Sequence, residues 1–583
     1  MATAALLLGA ALAGPRDASL PRMQAVLRQA VAAVEKQSEP LLITSHPELA
    51  DPYGLLVTLE VATGSRSPRG AELGRVPVSD DTDWVQVHVE WSALAELAQM
   101  PGLKTVRLPH LARRKDRGDV VSEGLDAVFR DGDWLEQGLD GRRVDVLITD
   151  VGFADLDTAR AELPARLRTD GTTGSGSSAH GTAVAEVVGD FAPRARLHLS
   201  ATTTGVTFIE RMRDLAESRS VEIVNSSIGF DNIWHADGTS PYTRAVDALE
   251  ETGLLWVGAA GNEGGRYLAG TVTEAPDGHL RVAGESGTWV PLVDGIAEAS
   301  LRWSEPMRAA EIDLDLVAYD EDGAECGRAD DPQDGTDSAP TEVLVARCRG
   351  DEAWVQVERG TGTARPEGLT AWIYHRNRVD PAVVESGLGV LTLPADARTG
   401  LAVGACDRAT GTAPAYSSWG PTDDGRTKPD LCAPDVVSTL TYGEVGFAGT
   451  SAAAPHVTGL AALLAQAEGL RGAGAELRSS VLEHTVDLGD PGPDDTFGVG
   501  ALDAGPPPAG CRCAAGTRVP VRTLGAVAAP LALAWLRRRR VYVPETPRTT
   551  GDFLPSPGGR DTPARLPHNP GEECCSPRPR STT

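Results

Sequence analysis

The sequence predicts an α/β protein organised around a parallel sheet, and three observations predict it. Val144 to Ile148 is an apolar run ending in Thr149-Asp150-Val151-Gly152, which reads as a buried strand with an aspartate at its carboxyl end. Leu254 to Val257 is a second short apolar strand, and it delivers Asn262 from the glycine-rich loop Gly258-Ala259-Ala260-Gly261-Asn262-Glu263-Gly264-Gly265. Gly449-Thr450-Ser451-Ala452-Ala453-Ala454-Pro455, followed by an apolar stretch to Leu464, reads as a tight turn that becomes a helix.

Each segment places a reactive group at an element end. Ser451 stands at a helix start, where unpaired N–H groups and the positive dipole end favour developing negative charge. Pro455 is expected in the first helical turn, where its missing N–H breaks no intrahelical bond. His180, thirty positions beyond Asp150, opens an apolar stretch through Val188 that reads as another helix. Taken singly, an aspartate after a strand is a turn former, a lone histidine is structural, and Asn-Glu-Gly is an ordinary turn. Together they form the set needed for acyl transfer: a nucleophile (Ser451), a base (His180), an orienting carboxylate (Asp150) and an amide donor for the oxyanion (Asn262).

The chain order Asp150, His180, Ser451 resembles the subtilisin-like serine proteases, the subtilases. The resemblance spans residues 120 to 265 and 395 to 505 and includes Val224-Asn225-Ser226-Ser227-Ile228-Gly229, Ala415 to Pro421, Lys428 to Pro434, and Phe497-Gly498-Val499-Gly500 with Leu502-Asp503-Ala504. It implies helices on both faces of the sheet, a triad of Asp150, His180 and Ser451, Asn262 in the oxyanion hole, and Ser227, Ile228 and Gly229 as the strand that pairs with extended substrate. It further implies a serine endopeptidase acting on proteins or peptides with no required cofactor. Val151, Ala183 and Glu186 depart from the usual pattern and point to a divergent subgroup. A catalytically silent adhesion protein and a serine esterase or amidase are the competing readings.

Around the protease-like blocks the chain divides further. Residues 1–14 resemble a signal peptide, with the apolar stretch Ala4 to Gly14 ending in an Ala-x-Ala-like site but no basic start, and 15–53 form a helical or linker segment. Residues 54–117 show strand, strand, helix, strand patterning and resemble an inhibitory propeptide, so that the protein would be a zymogen. Arg113-Arg114-Lys115 looks like an exposed processing site. Residues 118–505 form the protease domain, interrupted at 270–395 by an inserted β-sandwich, because 189 residues separate Asn262 from Ser451 and strands with period-2 alternation recur there. Asp313, Asp315, Asp320 and Asp322 invite a structural calcium site, but their spacing fits no EF-hand loop, and a solvated acidic face is the favoured expectation, with no metal predicted.

Composition fits an exported protein. The chain has 583 residues and a formal charge of −28, which opposes nucleic acid and anionic lipid as partners. Cys326 and Cys348 are expected to pair, and Cys406 and Cys432 either pair or stay as buried thiols. Residues 506–540 hold Gly510-Cys511, the apolar stretch Leu524 to Leu536 and Arg537 to Arg540. They resemble a bacterial sorting tail, cut at the Gly-Cys site and exchanged for surface anchoring, with a permanent transmembrane or amphipathic anchor as the alternative; thirteen apolar residues fall short of the roughly 20 a span needs. Residues 541–583 read as a disordered tail. The expectation is a monomer in the bacterial cell envelope or medium, using export and sorting machinery.

Overall fold

The computed structural model describes residues 22–507, apart from 37–41, 43–48, 51–53, 66–71, 111–112, 115–123, 130–133, 161, 174–177, 277, 361–364, 367, 377–382 and 408–409. The expected signal segment, Gly510, Cys511 and the apolar and basic tail lie outside the described residues. Among the described residues no helix is long and apolar enough to cross a membrane, which weighs against a transmembrane segment there.

A nine-stranded sheet forms the centre. Its order is Thr485–Val486, Ala501–Leu502, Leu431–Pro434, Leu401–Cys406, Leu255–Ala259, Ile223–Ser226, Asp145–Asp150, Arg196–Ala201, Arg166–Thr169. Every neighbouring pair is parallel except the first, at the edge. Alternation along the strands divides their side chains between two cores. Val146 and Ile148 enter the core shared with the helices His180–Phe191 and Thr450–Glu468, whereas Leu147 enters the core built on Phe208, Ile209 and Met212 of Gly205–Ser218 and Val246 and Leu249 of Pro241–Glu250. Helices therefore cover both faces, which explains why the central strands read as continuous apolar runs.

Small residues set how closely the helices His180–Phe191 and Thr450–Glu468 approach. A Cβ added to Gly459 would lie 2.3 Å from the Phe191 Cβ, so only glycine allows the Thr450–Glu468 helix to cross His180–Phe191 at this distance. The neighbouring alanines let the same helix lie against the sheet.

Residues before the central sheet form a four-stranded antiparallel sheet, ordered Glu72–Ser79, Thr82–Glu90, Gly54–Ala62, Leu103–Arg107. The first strand was not expected. Gly74 and Pro77 interrupt its pattern, and Val76 is its one buried residue. Helix Ala25–Glu35 packs into the same core through Val26, Leu27, Ala30 and Val31, so part of the segment that the sequence marks as helical or linker shares this unit's interior. Val76 and Trp84 instead join the core around Phe208 and Tyr242.

Between Asn262 and Ser451 the chain builds two sheets around one core, antiparallel except where Val383–Val384 pairs parallel with Tyr267–Glu274. The first is six-stranded and includes Tyr267–Glu274, Ile296–Trp303, Thr341–Arg347 and Thr370–His375; the second has Thr288–Pro291, Glu352–Arg359, Leu314–Tyr319 and Glu325–Ala329 in that order. Trp303, Leu314, Leu316, Leu344 and Val355 fill the space they share. Cys326 and Cys348 are disulfide-bonded here, and Cys406 and Cys432 are bonded across neighbouring strands of the central sheet. The acidic residues are spread over separate contacts: Asp313 accepts from the Gln333 N–H, Asp315 pairs with Arg328, and Asp320 accepts from the Asp322 and Ala324 N–H groups of its turn. Among the described residues no group of three or more His, Cys, Asp or Glu gathers to hold a metal ion.

Candidate active site

Strand register places Asp150, Ser227 and the loop that carries Asn262 at one edge of the sheet. Asp145–Asp150 and Ile223–Ser226 are adjacent and parallel with Thr149 opposite Ser226, so Asp150 and Ser227 leave the sheet side by side at its carboxyl edge. Next along, Gly258 lies opposite Ser226, which brings the Asn262 loop to the same edge. Such edges are where open α/β sheets build their sites.

Asp150 and His180 are in contact and fully buried. The His180 Nδ1 lies 2.7 and 2.9 Å from the two Asp150 oxygens, and the Val151 N–H donates to Asp150 Oδ1 at 2.8 Å. A carboxylate on Nδ1 fixes the proton there and leaves Nε2 as the basic nitrogen. The Phe447 ring packs nearly perpendicular to the imidazole, with ring centres 5.3 Å apart.

Ser451 is the second residue of the Thr450–Glu468 helix, and Gly449 precedes it with φ of 108°, a left-handed-side conformation that glycine accepts without a Cβ clash. Asp435 holds this turn by accepting from the Gly449 N–H at 2.6 Å, and the Tyr416 hydroxyl donates to the same carboxylate. Burial pushes the Asp435 carboxyl up from its ordinary range. The Ser451 hydroxyl donates to the Ser227 carbonyl at 3.1 Å.

Pro455 corrects the sequence reading. It is the sixth residue of the helix, beyond the first turn, so the Ser451 carbonyl loses the N–H four residues on. The Ser227 hydroxyl replaces it, donating to the Ser451 carbonyl at 3.1 Å while accepting from Asn225 Nδ2 at 3.0 Å. Ser227, expected as part of a substrate strand, is seen here to secure the serine helix. Ile228 and Gly229 are paired antiparallel with Arg114 and Arg113. The basic pair expected as an exposed processing site therefore has its backbone docked on the strand expected to receive substrate.

Asn262 is oriented by Thr450. Its Oδ1 accepts from the Thr450 N–H at 3.0 Å and from the Thr450 hydroxyl at 3.1 Å, and that hydroxyl in turn accepts from the Gly261 N–H. The amide Nδ2 is buried and makes no hydrogen bond among the described residues. A buried donor without a partner is costly and suits an acceptor that arrives with the reaction. Asn262→Asp keeps the oxygen that Thr450 needs and removes the donor. Turnover in that variant is expected to fall about 10²- to 10³-fold with little change in KM, measured by steady-state peptide hydrolysis.

Thr450 was not singled out from the sequence, although its place between Gly449 and the candidate nucleophile was a signal. Phe447 gave none, because its contact to His180 joins residues 267 positions apart.

His456 follows on the serine helix, buried, with Nδ1 2.6 Å from the Ala452 carbonyl and the ring edge-on to Phe191. Burial pushes its pKa down to about 4 from the ordinary 6.5. The unfolded chain then takes the proton at higher pH than the folded protein. Stability from this group is complete above pH 6.5 and is lost as pH falls toward 4, by up to about 3 kcal/mol. Urea unfolding at pH 7 and 4.5 should show a smaller acid-induced loss in His456→Gln than in the parent.

Residues 383–500 match the subtilase family model. That segment contains Ser451, Cys406 and Cys432; Asp150, His180 and Asn262 precede it. The match supports a serine protease over this part of the chain. No curated protein matches the chain. Among solved structures, the CspB protease of Clostridium perfringens is similar at 16% identity and TM-score 0.47, covering 64% of this chain and 95% of that one. The prenylagaramide maturation protease PagA is similar at 16% identity and TM-score 0.35, covering 64% and 94%.

Proposed function

We propose that the protein is an exported serine endopeptidase that hydrolyses peptide bonds through Ser451, His180 and Asp150. The observation that carries this reading is the pairing of Thr149 with Ser226, which sets the Asp150–His180 contact beside the Ser227–Ser451 contact at one sheet edge. In the proposed reaction the serine hydroxyl exchanges the Ser227 carbonyl, its acceptor in this structure, for the imidazole. Ser451 Oγ attacks the substrate carbonyl as His180 Nε2 takes its proton; Asp150 stabilises the imidazolium, which then protonates the leaving amine. Water repeats the sequence on the acyl-enzyme. Asn262 Nδ2 and the Ser451 N–H bind the oxyanion in both steps.

Ile228 and Gly229 serve as the strand that receives an extended peptide, a role supported by the antiparallel pairing they already make with Arg113 and Arg114. In this reading the N-terminal domain is an inhibitory propeptide, and cleavage after the basic residues raises activity. Residues 1–14 direct export and 506–540 retain the enzyme at the cell surface. A fluorophosphonate reagent should label Ser451 in the mature protein, which should also hydrolyse casein in preference to short acyl esters. Absence of labelling with every polypeptide left intact would sink the assignment.

A further inference from the structure

Glu186 is buried on the His180–Phe191 helix. Its carboxylate reaches across to a hairpin formed by Val437–Thr439 and Gly443–Phe447. The Leu440 N–H donates to Oε2 at 2.5 Å, the Thr441 N–H to Oε1 at 3.2 Å, and the Thr441 hydroxyl to Oε1 as well. These donors are the turn of the hairpin. Its second strand ends at Phe447, whose ring packs on His180, and four residues later the chain reaches Ser451.

We propose that Glu186 is a positioning residue: it ties the helix that begins with His180 to the hairpin that runs into Ser451, and so holds imidazole and hydroxyl in register. This inference rests on the serine-protease reading. Beside this tie and the Phe447 contact, the two catalytic groups are related through separate strands of the sheet and through helix packing, and a misplacement of about 1 Å costs about 10²-fold in rate. A carboxylate suits the task because its two oxygens accept from several donors at once, where an amide offers one acceptor and adds N–H groups facing N–H groups.

Burial, with the nearby Glu162 carboxylate adding to it, raises the Glu186 pKa above its ordinary value. The hairpin faces it with neutral donors, and His180 with Asp150 lies at the start of its own helix. On acidification Glu186 takes a proton before an exposed glutamate does, and one acceptor oxygen becomes a donor. The tie then loosens while the protein is folded, so the acid limb of activity carries this group as well as the triad.

The test compares Glu186→Gln and Thr441→Val with the parent by steady-state hydrolysis across pH, with folding checked by circular dichroism. Glu186→Gln is expected to lower kcat about 10- to 100-fold with KM within about threefold, and to remove one ionisation from the acid limb. Thr441→Val, which keeps the backbone donors, should show a smaller fall of the same kind and decides the matter if the glutamine variant does not fold. Folded variants with the parent's kcat and acid limb, or a change confined to melting temperature, overturn the proposal. A parent that neither hydrolyses peptide nor reacts with fluorophosphonate refutes the protease reading instead. In that event the downfield proton resonance of His180 Nδ1 is the readout: a shift in both variants supports the tie, and an unmoved line overturns it.

Discussion

Ser451→Ala is expected to lower peptide turnover by about 10⁶-fold, because in the proposed mechanism Ser451, His180 and Asp150 act as one unit and removing the nucleophile removes the acyl-enzyme route altogether. The residual rate, about 10³- to 10⁴-fold above water, would come from substrate positioning and the Asn262 donor. Folding should survive. The hydroxyl is buried and its hydrogen bond goes to the Ser227 carbonyl, so the loss is about 1 kcal/mol in a protein of this size. The Ser227 hydroxyl still caps the residue 451 carbonyl, since that bond uses backbone only on the serine side. Single-turnover peptide cleavage and fluorophosphonate labelling, with melting temperature as control, check this outcome. A variant that retains even a hundredth of parental activity would assign the nucleophile elsewhere.

Asp150→Asn should cost about 10⁴-fold in kcat while leaving the backbone in place. Asp150 Oδ1 accepts from both His180 Nδ1 and the Val151 N–H. An asparagine oxygen can keep one of these bonds, but its amide then offers N–H to an imidazole nitrogen that must itself become the acceptor. The ring answers by moving its proton to Nε2, where Ser451 needs a base. The loss therefore reflects tautomer and charge, with binding unaffected, and KM should move little. Loss of the downfield His180 Nδ1 proton resonance in the variant, together with the fall in kcat, would separate this mechanism from simple distortion of the site.

Strand and helix starts were legible because they are local. Asp150 follows a run of apolar residues, His180 and Ser451 each open an apolar helical stretch, and Asn262 follows a short strand into glycines. The weak edge strand Glu72–Ser79 was not, since one buried valine leaves no period to read. In the inserted region the alternating pattern runs back to Glu311, yet the strand begins at Leu314, because Glu311 and Ile312 give their N–H groups to the Glu305 carboxylate before pairing starts. Pro455 was misplaced by one turn for a related reason. Its cost depends on whether another group reaches the Ser451 carbonyl, and that group, Ser227, lies 224 residues away.

From the sequence alone came the residue types the chemistry needs, their order along the chain, and the elements whose ends present them, because hydrophobic period, turn residues and helix starts are properties of neighbouring positions. Only the tertiary structure decided that Asp150 and Ser227 stand side by side, that Arg113 and Arg114 lie along Ile228 and Gly229, and that Glu186 grips the turn at Leu440 and Thr441. Those relations depend on strand register and helix crossing distance. Both are set by packing between segments far apart in the chain, and no local pattern carries that information.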